Sequence, residues 1–456
     1  MNYCIFTFYN RQNNRQKKWR VMKKLSFILV PILLTVFLFS CGESSYVSTS
    51  DIDAVAKSFV KLAFSLGRYD KDYVDGYIGS EELKKEALRD TLQPDEIIRY
   101  ADELLIWLNT AAQGGAEIDS ITRERADYLR ALVLALKTRA QMINGKKFSF
   151  DEESKLIYDV VAPTFSLDYY GSILMKIDSL LPGEGDINLR WNEFRKRFII
   201  PREKLDTIFK TAIAECRLRT KKHIKLPDNE NFNFELVENK PWGAYNWYKG
   251  NGKSLIQINV SMPIYIDRVI DYACHEGYPG HHVYHTLHDL NLYRQNGWVE
   301  FSILPLFSPT AIISEGLANF GIEVAFTKQE KLDYEKNVLC KLAEISSEDI
   351  EKYYQILDYK KKLRYAGIEA ARRYLDGKIN KQQAVNFLMF YQLRTEKEAE
   401  NSISFFETYR SYIVSYSIGV DLLREYFKNK GADTQEKKWR VYDALVSNPI
   451  LPKDIR

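Results

Sequence analysis

The chain has 456 residues, 45% hydrophobic and 28% charged, with a net charge of +4. These proportions suit a folded globular protein and exclude a fibrous or disordered one. No single-sign block is long enough for a nucleic-acid surface, so no nucleic-acid partner is expected.

Near the N-terminus, Met22-Lys23-Lys24 precedes LSFILVPILLTVFLFSCG. A basic start, an apolar stretch and a small residue before a cysteine read as a secretory signal. The ending LFSC is similar to a bacterial lipoprotein signal and marks Cys41 as the lipidated residue. One acyl anchor ties a soluble body to a membrane, here in the bacterial cell envelope. A single spanning helix is the alternative, though the apolar run is short for one. Residues 1–21 read as an upstream extension and 42–50 as a polar tether. Cys216, Cys274 and Cys340 are too few and too scattered for a disulfide framework and read as buried thiols.

Helical patterns follow. DIDAVAKSFVKLAFSLG starts with Asp51 as an expected cap, and PDEIIRYADELLIWLNTAAQ continues the theme. TRERADYLRALVLALKTRAQMI runs into the turn signal NGKK, and PREKLDTIFKTAIAECRLRTKKH adds another amphipathic stretch. The texture changes near residue 231. FNFELVEN, GAYNWYK and KSLIQINV read as short strands, with KGNGKS as the hairpin turn between the last two. Helical texture then resumes. The expectation is a mainly α protein with one small sheet, built as an N-terminal helical lobe (51–225) and a C-terminal lobe (226–456) of one unit.

The segment DYACHEGYPGHHVYHTLHDL, residues 271–290, holds five of the six histidines. It opens with His275-Glu276, the first half of the zinc-peptidase signature H-E-x-x-H, but Pro279 stands where the second histidine belongs. On a straight helix, a histidine six or seven residues after His275 lies too far round or too far along to share an ion with it, given zinc–nitrogen bonds of about 2.0–2.1 Å. Pro279 cannot donate to the carbonyl of His275, and its ring clashes there. Gly280 tolerates unusual dihedrals. A bend at this point brings His281 into ligand position, with His282 as the alternative. His281 and His285, four apart, form a second possible pair that leaves His275 outside the ligand set. The third ligand is expected from SPTAIISEGLANFGIEVAF, where Glu315 sits among apolar residues and needs a partner. Glu323, two turns on, is expected to support it. PIYIDRVIDYACHEG reads as one helix with Pro263 in its first turn.

HEGYPGHH resembles the H-E-x-x-P-G-H-H signature of the domain of unknown function 885 family, bacterial proteins classed with zincin-like metallopeptidases. The resemblance extends through GAYNWYKGNGKSLIQINV, SEGLANFG and TYRSYIVSYSIGVDLLR, roughly residues 230–430. It implies a zincin-like architecture of long helices and one zinc ion held by His275, His281 and Glu315. It also implies a peptide substrate hydrolysed with Glu276 as general base. Tyr416 is then a donor to the developing oxyanion, Arg410 and Arg424 are binders of a substrate carboxylate, and Tyr245 with the strand SLIQINV holds an extended peptide. Two departures stand out. Val283-Tyr284 follows the histidine pair where Leu-Gln is common, and RRYLDGKI lacks the histidine often found in that part of the chain. A competing reading is a helical surface lipoprotein that binds peptides or glycans without catalysis. A di-metal carboxylate bundle is disfavoured, because the cluster contains no Glu-x-x-His spacing.

Overall fold

The computed structural model describes residues 49–89, 91–113, 119–240 and 242–456. The signal segment, Cys41 and most of the tether lie outside these residues. The described chain is mainly helical, and one continuous apolar core runs from Ile52 to Ile455. No described helix is long and apolar enough to cross a membrane.

Local chemistry sets the helix ends. Asp119 caps the helix Ser120–Ile143 by accepting from the Thr122 amide at 2.9 Å, and Gly145 ends the following turn at a φ of 92°. The first helix, Thr49–Gly67, starts two residues before Asp51, which therefore sits inside the first turn. The position still suits an acid, since a carboxylate there faces the positive end of the helix dipole.

Three strands form the sheet beside the histidine segment. They are β2 (Asn231–Val237), β3 (Ala244–Gly250) and β4 (Lys253–Asn259), where β1 denotes the earlier Val74–Tyr77. The order is β2-β4-β3, with β2 parallel and β3 antiparallel to the central β4. A central strand has no free edge, so β4 (the SLIQINV segment) cannot pair with a peptide, and the two edges belong to β2 and β3. The second, two-stranded sheet pairs β1 with β5 (Ile303–Pro305). That pairing joins the N-terminal helices to the C-terminal part of the chain. A buried ion pair does the same, with Arg125 Nε 2.5 Å from Glu300 Oε1.

Four helices frame the site: α1 (Asp267–Tyr272), α2 (His281–Leu287), α3 (Thr310–Ala325) and α4 (Ser415–Asn429). The expected start of α1 at Pro263 is displaced. Residues 263–266 are non-helical, and Tyr265 instead bridges to Ile199. Helices α3 and α4 pack backbone to backbone where Gly316 meets Gly419. A Cβ on Gly316 would lie 2.8 Å from the Gly419 carbonyl carbon, so only glycine permits the approach. The crossing brings the start of α4 close to Glu315.

Candidate metal centre

The helix carrying the first histidine does not run straight into the second. After α1 the backbone widens into a π-helical turn, Ala273–Gly277, and Tyr278 leaves it in an extended conformation. The Tyr278–Pro279 peptide is cis. Gly280 then donates its amide to the Cys274 carbonyl at 2.9 Å. A Cβ at Gly280 would run into the carbonyl oxygens of His275 and Cys274. Helix α2 starts at the next residue. The interruption turns the two imidazoles face to edge, with their Nε2 atoms 3.1 Å apart.

Glu315 completes the cluster from α3. Its Oε2 lies 3.4 Å from His275 Nε2, and its Oε1 lies 3.8 Å from His281 Nε2. Ligand atoms about 2.0–2.1 Å from one tetrahedral ion are about 3.3 Å from each other. The separations fit such a centre. The outer shell fits as well. His275 Nδ1 meets Asn319 Oδ1 at 3.2 Å and His281 Nδ1 meets Ser314 Oγ at 3.1 Å. With the proton on Nδ1, each neutral imidazole would turn its Nε2 lone pair to the centre. The Tyr412 hydroxyl donates to Glu315 Oε1 at 2.9 Å, while Glu315 Oε2 is buried without a hydrogen-bond partner. Two imidazole nitrogens and a buried carboxylate, one oxygen of it near each ring, match the donor types that a zinc-type ion takes. Among the described residues, these three form the one His/Cys/Asp/Glu group with such convergence.

Electrostatics point the same way. Burial works against charge on His275, yet the Glu276 and Glu315 carboxylates outweigh it and lift its pKa to about 9. His281 goes the other way, pushed down to about 3 by burial and by charge on His275. Burial, with Glu315 nearby, raises Glu276 to about 7. Burial also opposes charge on Glu315, but the neighbouring His275, with His281 and the Tyr412 hydroxyl, holds it below the ordinary carboxylate range. Neighbouring buried groups pushed so far apart mark a candidate functional site.

The other expected site residues divide. Glu276 is 4% exposed, lines the same cavity, and lends its backbone carbonyl to Asn246 Nδ2 of β3 at 2.6 Å. Tyr416 reaches the cavity from the first turn of α4 and is 40% exposed. Burial and the Glu315 and Glu276 carboxylates raise its pKa well above the ordinary tyrosine value, so its hydroxyl keeps its proton. Tyr245 of β3 lines the cavity and donates to Asp75 of β1.

His282 is turned away from the cluster. Its Nε2 meets Glu230 Oε2 at 3.1 Å and its Nδ1 meets Ser254 Oγ at 2.8 Å, all fully inside the protein. His285 sits behind His281, with ring centroids 5.9 Å apart. Arg410 is engaged by Glu153 at 2.6 Å, and Arg424 by Glu323 and Asp421; neither lines the cavity. Glu323 is thereby committed to Arg424 and does not support Glu315. Sequence reasoning passed over Tyr412, Asn319 and Ser314. Two of these had a readable signal: Asn319 lies one helical turn after Glu315, and Ser314 immediately precedes it.

The cluster opens on a cavity of about 1220 Å³ with aromatic walls that include Trp242, Trp247, Phe405 and Tyr409.

No family model matches the chain, and no curated protein does. Solved structures are similar at low identity. A protein of Colwellia psychrerythraea provisionally assigned as a lipoprotein aligns with a TM-score of 0.49 at 15% identity, covering 79% of this chain and 68% of that one. A protein named BsuCP aligns at 0.44 and 11%, covering 88% and 90%. A protein of Shewanella oneidensis of unknown function, also provisionally a lipoprotein, aligns at 0.43 and 12%, covering 99% and 93%.

Proposed function

We propose that this protein is a zinc-dependent peptidase, held in the cell envelope by a lipid on Cys41 and acting on small peptides. The observation that carries the reading is the convergence of the His275 and His281 imidazoles and the Glu315 carboxylate, whose Oε2 has no hydrogen-bond partner, beside a large aromatic cavity. His275, His281 and Glu315 would hold the ion, three protein ligands being the number that leaves a catalytic zinc an open position. A bound zinc would supply Lewis acidity for a peptide carbonyl and lower the pKa of water.

The chain's own groups do the rest. Glu276 is the proton carrier. A pKa near 7 suits a carboxylate that accepts a proton from water and returns it to the leaving amine. Tyr416 keeps its proton and faces the cavity, so it can donate to charge developing on the carbonyl oxygen. The aromatic walls exclude water and hold apolar side chains.

Metal content of the body from residue 42, purified without chelator or histidine tag, tests the reading. About one zinc per chain is expected, lost in His275→Ala and Glu315→Ala and kept in Glu276→Gln, with peptide turnover lost in all three. A chain that takes up no zinc after reconstitution would instead favour a binding lipoprotein.

A further inference from the structure

The expected carboxylate binders, Arg410 and Arg424, are spent elsewhere, and the cavity carries a different candidate. Six cations line it: Lys71, Arg195, Lys240, Arg268, Arg364 and Arg394. Three of the four arginines are occupied. Arg195 holds both oxygens of Glu398, at 2.8 and 2.9 Å. Arg364 is paired with Asp421, and Arg394 donates to Gln392 and Ser402. Arg268 is different. One Nη of Arg268 makes a long hydrogen bond of 3.4 Å to Asp271, its donors reach no second carboxylate among the described residues within ion-pair distance, and Lys331 holds the other oxygen of that acid more closely, at 3.0 Å. The Arg268 side chain remains 44% exposed. Its guanidinium carbon lies 4.4 Å from the centre of the Tyr272 ring, a contact that helps to orient it.

Its place relative to the metal cluster is informative. Arg268 stands on α1, seven residues before His275, which is about 10 Å along a helical axis. An extended residue spans about 3.5 Å. Allowing for contacts at each end, one or two substrate residues separate a carbonyl at the cluster from a carboxylate at Arg268.

We infer that Arg268 binds a substrate carboxylate and fixes cleavage one or two residues from it. This rests on the peptidase reading for the cleavage but not for the binding. The carboxylate is either the C-terminus of the peptide or an acidic side chain within it.

Binding by the zinc-loaded Glu276→Gln protein, measured by calorimetry, separates these cases without turnover. The probes are acetyl-Ala-Ala-Ala-Phe as free acid, the same peptide as C-terminal amide, and acetyl-Ala-Ala-Glu-Phe amide. The free acid is expected to bind about 10- to 100-fold more tightly than the first amide, the range for a charge-assisted hydrogen bond. Adding Arg268→Gln should abolish that preference, and Arg268→Lys should keep part of it. Both variants should retain one zinc per chain. A preference for the glutamate-containing amide, likewise lost in Arg268→Gln, would support the inference with a side chain as the source. Equal binding of all three peptides, or a preference that survives Arg268→Gln, would overturn it. Arg268-dependent binding with no hydrolysis by the parent protein would sink the peptidase reading and leave this inference standing.

Discussion

The Tyr412 hydroxyl donates to Glu315 Oε1 at 2.9 Å, while Oε2 of the same carboxylate stands 3.4 Å from His275 Nε2. One hydrogen bond from the 3₁₀ turn Arg410–Val414 therefore holds an acid on α3 beside the His275 and His281 imidazoles. Loss of such outer-shell support typically lowers metal affinity 10- to 100-fold. Tyr412→Phe should weaken zinc binding by about 10-fold. Competition with a calibrated chelator would measure this, and an unchanged affinity would show that Glu315 is held by packing alone. Tyr416→Phe is the contrast: it should leave zinc affinity unaltered and lower kcat.

The adjacent histidines should separate cleanly. His281→Ala removes a ligand atom from the cluster and should abolish stoichiometric zinc while the chain stays folded. His282→Ala should keep the metal but leave Glu230 and Ser254 short of a partner inside the core. A buried polar group that loses its partner costs about 1–3 kcal/mol. Zinc content and chemical denaturation of the two variants decide it. Zinc lost in both, with normal stability in His282→Ala, would reverse the assignment.

That distinction shows where the sequence was readable. KGNGKS announced a hairpin because the chain needs positive φ there, and Gly250, Asn251 and Gly252 all adopt it. Pro279 and Gly280 signalled an interruption for steric reasons that hold at any register. Which histidine joins His275 and Glu315 depended on how far the helix widened first. The π turn Ala273–Gly277 sets that phase, and nothing in its residue types separates it from an α turn. β1 was hidden for a related reason: Asp75 and Gly76 are poor strand formers, and the strand exists because β5 pairs with it from far along the chain. Arg410, Arg424 and Glu323 were misplaced because a charged residue beside a motif carries no record of its ion-pair partner. Arg268 went unnoticed because its role depends on what its neighbours leave undone.

Gly280→Ala tests the backbone requirement directly. The added methyl meets carbonyl oxygens of His275 and Cys274, which are main-chain atoms with little freedom to move aside. The expected result is a lower melting temperature together with loss of zinc, because the displaced carbonyl belongs to a ligand residue. Wild-type zinc content in a stable Gly280→Ala protein would mean that the π turn relaxes without moving the His275 imidazole.

Acid stability should depend on Glu230. Burial opposes its charge, but hydrogen bonds from His282, Tyr278 and Arg217 outweigh that and hold its pKa at about 2, against an ordinary 4.5. A folded-state pKa below the unfolded value stabilises above the unfolded value and is lost as pH falls from about 4.5 toward 2. The difference corresponds to about 3 kcal/mol at neutral pH. His282 adds a second acid-sensitive contribution. Burial lowers its pKa, so the unfolded chain takes up a proton near its ordinary 6.5 while the folded chain resists. Stability measured by denaturant titration in chelator should therefore decline in two stages, the first beginning below about 6.5 and the second below about 4.5. Glu230→Gln should be less stable than the parent at pH 6, and the gap should narrow steadily between about 4.5 and 2. A gap that stays constant over that range would show that Glu230 stabilises by shape and neutral hydrogen bonding, with its charge contributing nothing.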